Sequence, residues 1–114
     1  MSSRDVELSN AKWHDVCAVG ELDAEFPLGV DIEGQRVGVF KVGEDVHALE
    51  DICPHAYALL SQGYQDKGQI ECPLHGALFE IASGKSLNDI GQRDLSCHRV
   101  KLEHGRVFIQ LTPS

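Results

Sequence analysis

The chain has 114 residues, 42% hydrophobic and 25% charged, which is ordinary for one globular domain spanning residues 1–114. Its formal charge of −8 argues against nucleic acid or an anionic membrane as a partner. No run of about 18 apolar residues could cross a membrane, and the N-terminus has no signal-peptide pattern, so we expect a cytoplasmic protein with reduced thiols.

The negative charge is concentrated in the first half of the chain. Residues 1–50 carry 11 acidic and 4 basic side chains, whereas residues 51–114 carry 7 and 6. Such a distribution favours either plain solubility or an acidic surface for docking a basic partner. The sequence leaves both interpretations open.

In chain order, the predicted elements are short strands joined by turns. Residues 10–19 (NAKWHDVCAV) could hold one short helical turn, and residues 31–35 (DIEGQ) are typical of a turn between strands. Residues 37–50 indicate a hairpin, and so do residues 100–111, where hydrophobic residues alternate. We therefore predict an all-β fold, a small antiparallel sandwich or barrel.

Two Cys/His pairs lie between these hairpins, at residues 53–55 (CPH) and 72–75 (CPLH). One residue separates the partners in the first pair and two separate them in the second. A proline follows each cysteine, fixing the backbone φ there. Apolar residues follow both pairs, so we predict two stiff loops that each project one thiolate and one imidazole from a β scaffold.

Two kinds of metal site fit this donor set. Two thiolates and two imidazoles can satisfy a tetrahedral zinc ion, although structural zinc sites usually place like ligands two to four residues apart. Alternatively, Rieske centres hold two irons, with two histidines replacing two cysteines on one of them. One cysteine and one histidine from each loop match that division.

The spacing Cys-x-His, sixteen residues, Cys-x-x-His resembles the Rieske motif, and the likeness extends to residues 59–63 (LLSQG) and 75–85 (HGALFEIASGK). The resemblance implies a Rieske fold, with a cluster-binding subdomain over about residues 52–82, and one 2Fe–2S cluster. It also implies four ligands divided between the two irons. Cys53 and Cys72 would bind the inner iron, and His55 and His75 the outer one.

The chain departs from high-potential Rieske proteins at several positions. Their cluster loops carry a disulfide where this sequence has Ala58 and Leu74. They also carry a serine and a tyrosine, whose hydroxyls bond cluster or cysteine sulfur, where this sequence has Ala77 and Phe79. Many relatives have a proline-rich loop over the cluster, and residues 87–95 contain no proline, which leaves the shielding of the cluster open.

A small low-potential Rieske protein is similar to the ferredoxin component of bacterial aromatic ring-hydroxylating dioxygenase systems. That resemblance implies an electron-transfer protein and not an enzyme. Its donor would be a flavin-dependent NAD(P)H reductase and its acceptor a terminal ring-hydroxylating oxygenase. The alternatives are a Rieske-type small subunit, as in nitrite reductase, and a zinc-stabilised interaction module. Cys17 and Cys97 have no metal-type spacing, and we expect both to be buried small hydrophobes.

The missing hydroxyls predict a low reduction potential, because a donor to sulfur stabilises the extra negative charge of the reduced state. We expect a midpoint of about −150 mV, near the lower end of the range for Rieske centres. Ala77→Ser should raise it. Spectroelectrochemical titration measures both, and a wild-type midpoint above about +100 mV would contradict the prediction.

Overall fold

The computed structural model describes residues 12–54 and 57–112, and its regular structure there is almost entirely β. Two short 3-10 turns lie at Val19–Glu21 and Leu60–Gln62. The nine strands, in chain order, are β1 His14–Ala18, β2 Leu28–Ile32, β3 Gln35–Val42, β4 Asp45–Glu50, β5 Tyr64–Asp66, β6 Gln69–Glu71, β7 Leu78–Glu80, β8 Cys97–Glu103 and β9 Arg106–Gln110. No helix in the described ranges is long and apolar enough to span a bilayer.

Six strands form an antiparallel sheet in the order β1-β9-β8-β4-β3-β2. The sheet curls until its outer strands, β1 and β2, face each other across a cleft of about 330 Å³. His14 Nε2 lies 2.9 Å from Glu33 Oε2 and bridges this cleft. The nearly closed sheet confirms the predicted all-β class with barrel-like character.

Three hairpins in the fold turn through two residues that both have positive φ, which is the geometry that matches the twist of the flanking strands. These turns are Glu33–Gly34, Lys67–Gly68 and His104–Gly105. The predicted turn within residues 31–35 and the predicted hairpin at residues 100–111 are therefore confirmed. The hairpin predicted at residues 37–50 is also confirmed, as β3 pairs with β4.

The helical turn predicted within residues 10–19 is wrong for residues 14–18, and a short 3-10 turn begins only at the last residue of that range, Val19. Residues 14–18 form β1, which pairs with β9 and buries Cys17 among the apolar residues of the large sheet. Residues 10 and 11 lie outside the described ranges. The pairing with β9, about 90 residues away in sequence, overrides a weak local preference.

The smaller sheet, β5-β6-β7, is inserted in the chain between β4 and β8. Its buried residues join those of β3, β4 and the two Cys/His loops in one apolar cluster, hereafter the site core. The members of the site core are Phe40, Leu49, Cys53, Ala58, Leu60, Ile70, Cys72, Ala77, Phe79, Ile81 and Leu95. Both cysteines of the motif thus lie inside it.

A buried carboxylate connects the large sheet to the first Cys/His loop. Asp51 is fully buried and accepts hydrogen bonds from Arg36 Nε at 3.2 Å and from Ser61 N and Oγ at 2.6 and 2.7 Å. Space for this group exists because two neighbouring strand positions are glycine. A Cβ on Gly29 would lie 2.9 Å from Asp51 Oδ2, and one on Gly38 would lie 3.0 Å from Oδ1.

Replacing Arg36 by alanine should destabilise the fold strongly, since it leaves the buried Asp51 carboxylate without its cation. We expect a loss of about 2 to 3 kcal/mol, less than for a fully buried pair because the Arg36 side chain is 28% exposed. Arg106→Ala is the matched control, as Arg106 pairs with Asp15 on the surface and should matter little. Urea unfolding followed by circular dichroism compares the two, and equal midpoints would contradict this account.

Candidate metal centre

The two Cys/His loops have the same length, and the same backbone hydrogen bond joins the first and last residues of each. The pair Ile52/Leu59 flanks residues 53–58 and the pair Glu71/Leu78 flanks residues 72–77, so each loop has six residues. In each loop the cysteine is the first residue, and its N–H donates to the carbonyl of the alanine that is the last, at 2.9 and 2.8 Å. The unequal Cys–His spacing therefore reflects where the histidine stands in the loop, not a difference in loop size.

The loops place sulfur and nitrogen in different environments. Cys53 and Cys72 are 2% and 1% exposed within the site core, and neither forms a disulfide. His75 is exposed. His55 lies outside the described residues. The two thiols are thus buried and one imidazole is exposed, while the assignment of these residues to the two irons stays a prediction.

A glycine allows the two loops to lie side by side. Gly63 follows the 3-10 turn after the first loop, and a Cβ at this position would collide with the carbonyl oxygen of Glu71. Glu71 immediately precedes Cys72. The backbone leaving the first loop therefore packs directly on the strand entering the second, which any larger residue at position 63 would prevent.

The segment after the small sheet covers the site core without proline. Leu87 N–H donates to Leu78 O at 2.7 Å, and Leu95 is 4% exposed within the site core. A Cβ on Gly91 would lie 2.7 Å from the Phe79 ring, so the backbone there rests on that ring. Residues 87–95 therefore do shield the site core, which the sequence had left open.

An ion pair fixes residues 87–95, hereafter the covering segment, to the end of β4, just before the first loop. Arg93 contacts both oxygens of Glu50, at 2.6 and 3.0 Å, and Ser96 N–H donates to the same carboxylate at 2.7 Å. Burial alone would raise the pKa of Glu50, but the hydrogen bonds from Arg93 and Ser96, with the charge of Arg93, outweigh it and lower that pKa. Glu50 is accordingly ionised at neutral pH.

Among residues 12–54 and 57–112, no three His, Cys, Asp or Glu side chains converge as ligands of a single metal ion would. The comparison with protein families decides which kind of metal centre this is. Residues 12–99 match the model of the Rieske [2Fe-2S] domain. The chain belongs to the Rieske family.

Two of its relatives are ferredoxins of dioxygenase systems. The ferredoxin component of the naphthalene 1,2-dioxygenase system of Pseudomonas putida is 33% identical over 101 residues, covering 89% of this chain and 97% of the relative. A ferredoxin solved in complex with its oxygenase in carbazole 1,9a-dioxygenase is 31% identical, with a TM-score of 0.83 over 89% of this chain and 94% of its own.

A second similar structure points to another kind of Rieske protein. It is named as a candidate small subunit of an NADPH nitrite reductase. It is 27% identical, with a TM-score of 0.74 over 88% of this chain and 99% of its own.

The cofactor of this Rieske protein is a 2Fe–2S cluster. The side chains fit it, because two buried thiols at equivalent loop positions and an exposed imidazole are donors of the required types. When bound, the cluster takes up and returns one electron. The zinc interpretation, open on residue types alone, is set aside by the family match.

The positions that tune Rieske potentials carry no hydroxyl here. Ala77 and Phe79 are both fully buried, and since neither side chain carries a hydrogen-bond donor they contribute packing only. At the two positions of the high-potential disulfide, Ala58 is 8% and Leu74 58% exposed. The low potential expected from the missing hydroxyls stays a prediction.

The remaining cysteines differ from each other. Cys17 is 3% exposed, and burial followed by the charge of Glu21 raises its pKa, which confirms the prediction of a buried small hydrophobe. The same prediction for Cys97 is wrong, since that residue is exposed and its thiol donates to Ser83 O at 3.2 Å. Cys97 stands at the start of β8, where the alternation of the strand turns it outward.

Three polar residues that hold the loops and the covering segment were not predicted from the sequence. They are Asp51, Asn88 and Arg93. Only Asp51 has a sequence signal, as an acidic residue two positions before Cys53. Asn88 and Arg93 act through contacts with residues 10 to 43 positions away.

Proposed function

We propose that this Rieske ferredoxin carries single electrons from a flavin-dependent NAD(P)H reductase to a terminal ring-hydroxylating oxygenase. The observation that carries the proposal is the likeness to a dioxygenase ferredoxin over 97% of that relative's length. A similar ferredoxin solved in complex with its oxygenase supports the acceptor. In this role residues 1–114 act as one domain that transfers electrons and leaves catalysis to the partners. The proposed location is the cytoplasm.

The proposed ligands are the four residues of the motif, Cys53 and Cys72 on the inner iron and His55 and His75 on the outer iron. The burial of both thiols and the exposure of His75 support this assignment. The two thiols then sit in a region of low polarity, while His75 faces the surface where a partner can approach. We propose that the electron passes through the exposed His75 or through His55.

His75→Ala should abolish the cluster or make it labile, because the outer iron loses a ligand. His104→Ala is the matched control, since His104 lies in the β8–β9 turn. Iron and sulfide analysis with the visible spectrum measures cluster content. A full, stable cluster in His75→Ala would contradict the ligand assignment.

An acidic carrier should be steered towards basic partner surfaces, and salt screens that attraction over roughly 8 Å at physiological ionic strength. One exposed carboxylate stands beside the predicted ligand. Glu71 Oε2 lies 3.7 Å from the position that a Cβ on Gly76 would occupy, next to His75. Glu44 has the same charge in the turn at the opposite end of β4.

The rate constant for reduction by the reductase should therefore fall as ionic strength rises. Glu71→Gln should flatten this dependence more than Glu44→Gln, which makes the same change of charge away from His75. Stopped-flow reduction at increasing sodium chloride, with candidate reductases and oxygenases driven by NADH, measures both. Rates that are insensitive to salt would contradict acidic docking, and no transfer with any dioxygenase partner would contradict the function.

The likeness to a candidate nitrite reductase small subunit favours a second function, as a fixed subunit of a larger reductase. The two functions differ in how tightly the chain binds its partner. A stable stoichiometric complex with a large subunit, seen by size-exclusion chromatography, favours the subunit. A complex that dissociates at micromolar concentration favours the carrier.

A further inference from the structure

The second Cys/His loop depends on a side chain from outside it. Within the loop, Cys72 N–H donates to Ala77 O and Gly76 N–H donates to Cys72 O at 3.3 Å. Two other backbone groups just after His75, the carbonyl of Gly76 and the N–H of Leu78, are bonded by one residue. Asn88 Nδ2 donates to Gly76 O at 3.0 Å, and Asn88 Oδ1 accepts from Leu78 N at 3.3 Å.

The Asn88 side chain takes the place of a neighbouring strand beside the start of β7, which is an edge strand of the small sheet. The preceding residue, Leu87, donates its own N–H to Leu78 O at 2.7 Å. The chain then turns away, and the amide of Asn88 supplies the next donor and acceptor in the way a peptide group would. A side-chain amide has both functions on one planar group, whereas a carboxylate only accepts.

The covering segment holds Asn88 in this position. Asn88 Oδ1 also accepts from Ile90 N at 3.3 Å, and the backbone carbonyl of Asn88 accepts from Ser86 Oγ at 2.8 Å. Asp94 Oδ1 in turn accepts from Ser86 N at 2.8 Å, which ties the two ends of the segment together. Contacts outside the second loop therefore also orient the Asn88 amide.

We propose that Asn88 is a positioning residue for the second cluster loop, fixing the backbone on which His75 stands and thereby the orientation of the outer-iron ligand. The proposal rests on the assignment of His75 as that ligand. Gly76, the residue after His75, has a φ of 76°, a conformation open to glycine, so the backbone there needs an outside constraint. Asn88 supplies it in a covering segment that has no proline.

The test compares Asn88→Asp with Gln92→Glu. Both exchange an amide for a carboxylate of nearly the same shape in the same segment, and Gln92 is exposed. Asn88→Asp keeps the acceptor for Leu78 N–H but places an oxygen against Gly76 O. The readouts are the EPR g-values of the reduced protein, the rate of iron release to a chelator and the thermal melting temperature.

We expect Asn88→Asp to shift the g-values and to speed iron release about fivefold to tenfold, the effect of losing roughly one hydrogen bond. Gln92→Glu should keep the wild-type g-values and change release less than about twofold. Asn88→Ala, which loses both bonds to the loop and the bond from Ile90 N, should also release iron faster than the wild type.

A lower melting temperature in Asn88→Asp with unchanged g-values and iron release would overturn the proposal, because Asn88 would then only stabilise the fold. Equal g-value shifts in Asn88→Asp and Gln92→Glu would also overturn it, since charge alone would explain them. His75→Ala, measured in parallel, separates the two proposals. A retained cluster in His75→Ala contradicts the ligand assignment, whereas its loss together with an unaffected Asn88→Asp contradicts the positioning role alone.

Discussion

The hydrogen-bonded carboxylate of Asp51 is the interaction on which the arrangement of this protein depends. It lies fully buried two residues before Cys53, between Arg36 on the large sheet and Ser61 after the first loop. A buried charge is tolerated only when it is paired and hydrogen-bonded. The sheet and the loop therefore cannot separate without exposing the Asp51 carboxylate or leaving it buried without its partners. The barrel-like sheet thereby becomes a rigid base for the metal centre.

Each cluster loop is secured at its base by a polar side chain that bonds backbone groups. Asp51 accepts from Ser61 N across the base of the first loop, and Asn88, from the covering segment, bonds Gly76 O and Leu78 N at the second. Equal six-residue loops then place the two cysteines equivalently within the site core. The histidines follow at unequal distances in the sequence, so the two loops are alike at their bases and differ in the position of the histidine.

Much of this could be predicted from sequence, because the signals are local. The Cys/His spacing indicated a two-iron centre, and glycine turns such as His104–Gly105 indicated the hairpins. The rest depends on contacts between distant segments. β1 forms because β9 pairs with it, and Cys97 is exposed by its place in β8. Asn88 and Arg93 occupy an exposed segment with no periodic pattern, and only the folded chain brings Gly76 and Glu50 to them.

The cleft between β1 and β2 has a consequence for how the protein behaves in a crowded solution. Edge strands carry unpaired backbone groups that can add to the edge of another copy and start aggregation. Here the two edges of the large sheet face each other, bridged by His14 and Glu33, so each hinders such pairing by the other. The large sheet therefore offers other copies of the chain less free edge than an open sheet of six strands would.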